Sequence, residues 1–270
     1  MWAFACGVVS AGVSLADHWM LMVAGIIVVG PMVCATSQAA NDWFDRKVDA
    51  INEPNRPIPS GRMPGRWGLY IALAWTAVSL AAATTLGTWG FYAAIFGLLL
   101  AWAYSAPPLR LKQNGWWGNA ACGLCYEGLP WITGWAVMVS GGSSPLHMLV
   151  VAAMYSIGAH GIMTLNDFKS IEGDTQVGIG SLPVRLGVDG AALAACRIMA
   201  LPQVVVISLL IAWGSTTHAA FVAALLGVQL VMMRRFLSDP RRFALWYSAL
   251  GVPLFVSGML ISAFALRQGV

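Results

Sequence analysis

The chain has 270 residues, of which 59% are hydrophobic and only 10% charged, whereas soluble domains carry about 25% charged side chains. That deficit excludes an ordinary soluble domain, a disordered chain, a coiled coil and a disulfide scaffold. The composition is that of an integral membrane protein, and a net charge of +4 gives no argument for nucleic-acid binding.

Apolar runs long enough to cross about 30 Å of hydrocarbon predict nine spans, near 2–16, 19–40, 67–87, 90–107, 117–140, 146–165, 190–213, 217–236 and 243–266. No basic segment precedes the first of them, so a cleavable signal peptide is not expected. The second runs into an acidic cluster, Asn41-Asp42-Trp43-Phe44-Asp45-Arg46-Lys47-Val48-Asp49. In a helix, Asp42, Asp45 and Asp49 stand at i, i+3 and i+7 and line one face. Asn41 lies one turn before Asp45. The stretch Pro54-Asn55-Arg56-Pro57-Ile58-Pro59-Ser60-Gly61 then reads as a stiff, ordered loop. Tight turns are expected at Gly87-Thr88-Trp89-Gly90, Gly141-Gly142-Ser143-Ser144-Pro145 and Gly214-Ser215-Thr216-Thr217.

Cys122 and Cys125 lie in the fifth span with no second pair, and read as helix packing rather than a metal or redox site. Glu127, in Cys125-Tyr126-Glu127-Gly128, is the one acid expected inside a span. It either lines a cavity, as intramembrane acids generally do, or sits near a helix end. Gly158 and Gly161 suit close helix contact. The sixth span runs into a second cluster, Asn166-Asp167-Phe168-Lys169-Ser170-Ile171-Glu172-Gly173-Asp174. Asp167 and Asp174 repeat the seven-residue spacing of the first cluster, with Ser170 at the i+3 position. Ser181-Leu182-Pro183-Val184-Arg185-Leu186-Gly187 reads as re-entry into the next span.

Thirteen of the fifteen Lys and Arg fall in the 41–66, 108–116, 166–189 and 234–242 loops. If nine spans alternate, these loops share one side, which the positive-inside rule marks as cytoplasmic. Six of the eleven acids fall in the two clusters. A carboxylate at the centre of a membrane costs about 2.5–3.5 kcal/mol even on the lenient insertion scale, and like charges at helical spacing repel. The clusters therefore call for a cation. All-oxygen ligands suit Mg²⁺ or Ca²⁺, and Mg²⁺ commonly joins a few carboxylates to substrate phosphates. A solvated, mixed-charge helix end is the plain alternative for one cluster; two copies at equivalent helix ends count against it. Arg46, Lys47, Arg56, Arg62 and Arg110 or Lys112 flank the clusters and could hold an anionic diphosphate, although positive-inside bias is sufficient for any one of them.

These motifs resemble those of the UbiA superfamily of polyprenyl transferases, and the likeness covers essentially the whole chain. Asn41-Asp42-x-x-Asp45-x-x-x-Asp49 matches the first family signature. Asp167-x-x-Ser170-x-x-x-Asp174 matches the second, with Ser170 where many members carry Asp. The segments 166–174, 49–61 and Tyr104-Ser105-Ala106-Pro107-Pro108-Leu109 are similar to the chlorophyll synthase branch. Asn55, Arg62 and Gly65-Arg66-Trp67-Gly68 resemble its bacterial, bacteriochlorophyll-forming members.

The resemblance implies one polytopic prenyltransferase domain over 1–270, an all-α bundle of about nine transmembrane helices with aspartate-rich motifs at cytoplasmic helix ends. It implies an inner or intracytoplasmic photosynthetic membrane, and an N-terminal segment longer than the one before the first span here. The implied reaction esterifies the propionate of a (bacterio)chlorophyllide with geranylgeranyl or phytyl diphosphate, assisted by two Mg²⁺ ions. Asn41, Asp42, Asp45, Asp49, Asn166, Asp167 and Asp174 are the implied metal ligands, the aspartates forming the catalytic set. Arg46, Lys47, Arg56 and Lys112 are the implied diphosphate binders. Tyr104, Tyr126, Glu127 and His160 are candidates for the acceptor cavity. His160 could ligate the central magnesium of the acceptor, though a hydrogen-bonded helix histidine is the favoured reading. The acceptor is already a carboxylate at neutral pH, so no strong base is required. Membrane lipid surrounds the chain, and no residue identifies a protein partner. Two rivals stand: a UbiA-type enzyme with a quinone-ring or haem acceptor, and a cation or solute transporter. The Asn166–Ser170 segment argues against the first, and acids at span ends rather than the midplane against the second.

Overall fold

The computed structural model describes residues 1–139 and 145–268. Among them there is no strand, and twelve α-helices follow in order: α1 (Trp2–Ser10), α2 (Trp19–Ile27), α3 (Ala35–Asn52), α4 (Trp67–Ala83), α5 (Gly87–Ser105), α6 (Gly115–Gly123), α7 (Leu129–Met138), α8 (Leu146–Asp167), α9 (Ile171–Val177), α10 (Leu182–Ala212), α11 (Thr216–Ser238) and α12 (Pro240–Arg267). Wide π-helical turns join α2 to α3 (Val28–Cys34) and α6 to α7 (Leu124–Gly128). The first surrounds Pro31, whose missing N–H breaks the regular α-helical ladder. The expected turn at Gly141-Gly142-Ser143-Ser144 lies outside the described residues.

Six helical stretches among the described residues, rather than nine, are long and apolar enough to cross a membrane: Trp19–Asn52, Trp67–Ser105, Leu146–Asp167, Leu182–Ala212, Thr216–Ser238 and Pro240–Arg267. The protein is a multi-pass integral membrane protein. The count differs from expectation for local reasons. Helix α1 has nine residues, about 14 Å at 1.5 Å per residue, too short to cross. Trp67–Ser105 holds two expected spans, divided by a 3₁₀ turn at Thr84–Leu86 and by Gly87, whose φ of 72° favours glycine. That turn lies earlier than the expected Gly87–Gly90, and Gly90 belongs to α5. The expected fifth span, α6 through α7, carries Asn119 and Glu127 in its interior.

The usual soluble pattern is inverted. Leu73, Leu99, Phe221 and Val231 are exposed on the outside, while Ser79, Thr164, Gln203, Gln229 and Ser262 are wholly buried. Hydrogen bonds between buried side chains tie the helices in pairs, as is expected where lipid offers no partners. Gln203 and Gln229 exchange amide bonds of 3.2 and 3.1 Å between α10 and α11. Tyr155 of α8 meets Ser262 of α12 at 3.0 Å, and Trp131 of α7 donates to Ser10 of α1 at 3.0 Å. The main core lies here, among α1, α7, α8 and α10–α12, around Trp131, Tyr155, Met199, Tyr247 and Phe255. The α2–α5 half has only a small core of its own, around Val28, Ala83, Leu86 and Ala94, and encloses space.

Helices α1 and α7 cross with their backbones almost touching. A Cβ on Gly7 would lie 2.0 Å from the Trp131 carbonyl oxygen, and one on Gly134 would lie 2.2 Å from that of Phe4. Gly161 makes the same kind of approach to Ala195 of α10. Gly134→Val is therefore expected to destabilise the fold by at least about 1–3 kcal/mol, the usual range for overpacking. Gly227→Ala, with nothing within 4 Å of its added methyl, is expected to be neutral or stabilising by up to about 1 kcal/mol. Thermal unfolding of both variants in detergent checks the pair.

Candidate active site

The α-helix continues from α2 through the π turn to Asn52, so Asp42, Asp45 and Asp49 do stand on a helix. Asp45 and Asp49 are buried, whereas the Asp42 side chain is 38% exposed. The second cluster is not one continuous helix. Helix α8 ends at Asp167, and Ser170 is the N-cap of α9. Asp174 is thus carried by a separate short helix, and burial holds its carboxyl above the ordinary range of an aspartate.

Both clusters open onto one polar cavity of about 180 Å³, lined by Asn41, Asp45, Asp49, Asn166, Asp167 and Asp174 together with Arg56 and Lys112. The cations are placed by loops. Asn41 donates to Asp45 Oδ2 at 2.8 Å, and Lys112 Nζ contacts the same oxygen. Arg110 Nη2 stands 3.6 Å from Asp45 Oδ1. The Asp45 and Lys112 side chains are 6% and 11% exposed, and removing one partner of so buried a pair typically costs about 3–5 kcal/mol. Arg56 reaches back from the Pro-rich loop to Asp42 (3.0 Å) and Asp49 (3.1 Å). Hydrogen bonds from Ser60 N to Arg56 O and from Met63 N to Pro57 O brace that loop.

Two expected cations lie elsewhere. Arg46 turns away from the acids, donating to the Trp43 carbonyl at 2.7 Å and covering the Trp43 ring at 4.2 Å. Lys47 is exposed, and neither residue lines the cavity. Positions 46 and 47 are about 100° and 200° around the helix from Asp45, which takes them off its face.

The second wall rests on contacts between segments distant in sequence. Gly115 N donates to Gly180 O at 2.8 Å and Gly180 N to Gln113 O at 3.0 Å, stitching the Lys112 loop to the chain after α9. Asn119, buried in α6, donates to Asp167 Oδ2 and to Thr164, each at 3.2 Å. Lys169 bridges Glu53 Oε1 at 2.9 Å. That bond, with help from Arg56, holds the Glu53 carboxyl below its ordinary value. Asn52 accepts from Gly173 N at 3.0 Å. Asn52, Glu53, Asn119 and Lys169 were not singled out from the sequence. Only Asn119, an amide among the small residues of an apolar span, offered a local signal.

A second, apolar cavity of about 290 Å³ lies among the Val28–Cys34 π turn, α5, α6 and α7. Gly90, Ala94, Gly97 and Ala101 form a stripe of small residues along α5 that leaves the space open, and both π turns border it. From Gly90 to Tyr104 the wall rises through 14 residue steps, about 21 Å of helix. Tyr104 belongs to both cavities. Tyr126 lines the apolar one and accepts from Gln38 at 2.9 Å. Glu127 and His160 line neither of the two. His160 Nε2 lies 3.2 Å from the Trp116 carbonyl, and its ring tilts over the Trp116 ring.

Among the described residues, no three His, Cys, Asp or Glu side chains come close enough to hold a metal ion by themselves. The donor chemistry nevertheless fits Mg²⁺. Every candidate ligand offers oxygen, and the buried Asp45 Oδ1 has no hydrogen-bond partner.

Residues 1–259 match the model of the UbiA prenyltransferase family. The chain is 55% identical over 267 residues to the bacteriochlorophyll synthase 33 kDa chain of Cereibacter sphaeroides, covering 99% of this chain and 88% of that one. It is 52% identical over 269 residues to the protein of the same name from Rhodobacter capsulatus, with the same two coverages. Among solved structures, the UbiA homologue of Archaeoglobus fulgidus bound to GPP and Mg²⁺ superposes with a TM-score of 0.62 at 18% identity, over 99% of this chain and 96% of that one. The chain belongs to the UbiA prenyltransferase family and is a prenyltransferase.

Proposed function

We propose that this chain forms bacteriochlorophyll by esterifying the propionate of a bacteriochlorophyllide with a C20 prenyl diphosphate, geranylgeranyl or phytyl. The observation that carries the reading is the junction at Tyr104 between a polar cavity rich in acids and cations and an apolar cavity long enough for an extended C20 chain. The acceptor follows from the full-length relatives at 52–55% identity, which carry the name bacteriochlorophyll synthase.

In this reading Asn41, Asp42, Asp45, Asp49, Asn166, Asp167 and Asp174 hold Mg²⁺, two ions in all. The bound metal supplies charge stabilisation for the diphosphate as it departs. Lys112 and Arg56, already among the carboxylates, turn to the diphosphate oxygens. Arg46 and Lys47 have no part in it. Asn119 orients Asp167 through its 3.2 Å hydrogen bond. The walls of the apolar cavity hold the tail and exclude water while the allylic C–O bond breaks. An oxygen of the propionate forms the new bond to the allylic carbon, the electron pair of the broken bond leaves with diphosphate, and no proton needs to be removed.

The same reading has the 41–66, 108–116, 166–189 and 234–242 loops facing the cytoplasm of a photosynthetic membrane. It treats residues 1–270 as one domain with nine membrane segments. The split of Trp67–Ser105 at Gly87 and the helical run from α6 to α7 raise the six long stretches to eight, and α1, too short to cross, is the ninth segment.

The reading makes five measurable demands. With bacteriochlorophyllide, geranylgeranyl diphosphate and Mg²⁺, the purified protein forms esterified pigment. Asp167→Ala lowers kcat/KM by about 100-fold or more while the protein still inserts, and EDTA abolishes turnover until Mg²⁺ is restored. Turnover of 4-hydroxybenzoate without esterified pigment would overturn the acceptor. Arg56→Gln raises KM for the prenyl diphosphate by about tenfold or more, the usual scale for a charged hydrogen bond, whereas Arg46→Gln leaves it within about threefold. Ala94→Phe fills the apolar cavity, and chain-length competition is expected to show a preference shifted from C20 to C10 diphosphate.

A further inference from the structure

The turn between α11 and α12 carries Arg234, Arg235, Arg241 and Arg242 within nine residues, with Asp239 the only acid among them. All four arginines are exposed, and none enters an ion pair among the described residues. The one acid is occupied as the N-cap of α12, where Asp239 Oδ1 accepts from Arg242 N at 3.2 Å. Two of the cations are held in place by aromatic rings. The Arg235 guanidinium lies 4.8 Å from the centroids of both Phe243 and Trp246, and that of Arg242 lies 5.3 Å from Phe243. Those two guanidinium groups are seated on aromatic faces without any ligand. The patch belongs to the same end of the bundle as the second acidic cluster, because Phe236 packs edge-on against Phe168, the neighbour of Asp167, at 5.6 Å.

Positive-inside bias accounts for basic residues in this loop but not for what stands directly beside them. Val231, Val228 and Phe221 follow Arg235 down one face of α11, four, seven and fourteen residues before it, and all three are exposed. A ligand lying here meets unpaired guanidinium groups at one end and an exposed apolar strip running into the membrane at the other. Free phosphate would use only the first, and an acidic soluble protein would leave the second wet.

We propose that the α11–α12 turn binds the headgroup of an anionic phospholipid, with Arg234, Arg241 and Arg242 on the phosphate and Arg235 fixed between Phe243 and Trp246 as the wall of the site. Its acyl chains lie along the exposed Val231–Val228–Phe221 face of α11. The site is separate from both cavities and does not depend on the proposed reaction.

The test uses the full chain in phosphatidylcholine vesicles with and without phosphatidylglycerol, reading thermal unfolding and, by native mass spectrometry, retained lipid. Phosphatidylglycerol is expected to raise the midpoint and to remain bound through gentle delipidation. Each arginine removed should weaken its apparent affinity about fivefold, so that Arg234→Gln/Arg241→Gln/Arg242→Gln together lose it by about 100-fold. Arg66→Gln, in another loop of the same side, should leave it unchanged. Wild-type protein provides a measurement free of any folding defect in the variants, since rising ionic strength should erase the preference for phosphatidylglycerol. Equal midpoints in the two vesicles, full retention of the lipid by the triple variant, a preference indifferent to salt, or reproduction of the shift by inorganic phosphate in phosphatidylcholine would each overturn the proposal.

Discussion

A carboxylate taken out of water loses hydration worth several kcal/mol, and that loss must be offset by cations and donors at short range. Asp45, 4% exposed at the edge of the membrane-spanning α3, is where this constraint is sharpest. Its neighbours come from two separate parts of the chain: Asn41 one turn earlier, and Lys112 and Arg110 on the loop after α5. The loop that carries Lys112 is in turn fastened to the residues following α9 by the Gln113–Gly180–Gly115 hydrogen bonds. One buried charge thus ties α3 to the 106–115 loop, and that loop is tied in turn to the segment after the second acidic cluster. Charge balance, more than shape, assembles the site.

The two halves of the bundle divide the work. The α8 and α10–α12 half is packed around large side chains and joined by buried amide and hydroxyl pairs. The α2–α5 half is lined with small residues and bent by the Val28–Cys34 π turn, and it stays hollow. A chemistry that generates a reactive allylic carbon in the presence of water needs both properties. The rigid half holds Asp167 on the end of a long helix, while the hollow half offers a dry channel beside it. Tyr104, on the boundary, is where the two meet.

Much of this was legible in the residues because membrane burial restricts where charge can go. The composition alone required a membrane protein, and the repeated Asn-Asp motifs marked the two places where acids collect. Their helical spacing was correct for the first cluster, where α3 continues to Asn52. It was incorrect for the second, where the chain turns at Phe168–Ser170 before α9 begins. A seven-residue interval reads the same in one helix as across two. Arg46 and Lys47 were drawn in by proximity in sequence, yet helical geometry turns them off the acidic face. Glu53 and Lys169 escaped notice because they lie far from each other in the chain, and Asn119, though visible as an amide in an apolar span, gave no hint that Asp167 was its partner. The nine apolar runs likewise did not distinguish a full crossing from a nine-residue helix such as α1, whose burial comes from its glycine contact with α7.

By itself, the sequence determined the class of solvent around the protein, the two acidic clusters and the family to which they belong. Each of these depends on local composition or on spacing along a single helix, which the order of residues states directly. Only the tertiary structure decided which cations meet which acids, that the polar and apolar cavities share a wall, and that Glu127 and His160 lie apart from both. Those outcomes depend on electrostatic and packing contacts between segments far apart in the chain, whose distances exist only once the helices have been brought together.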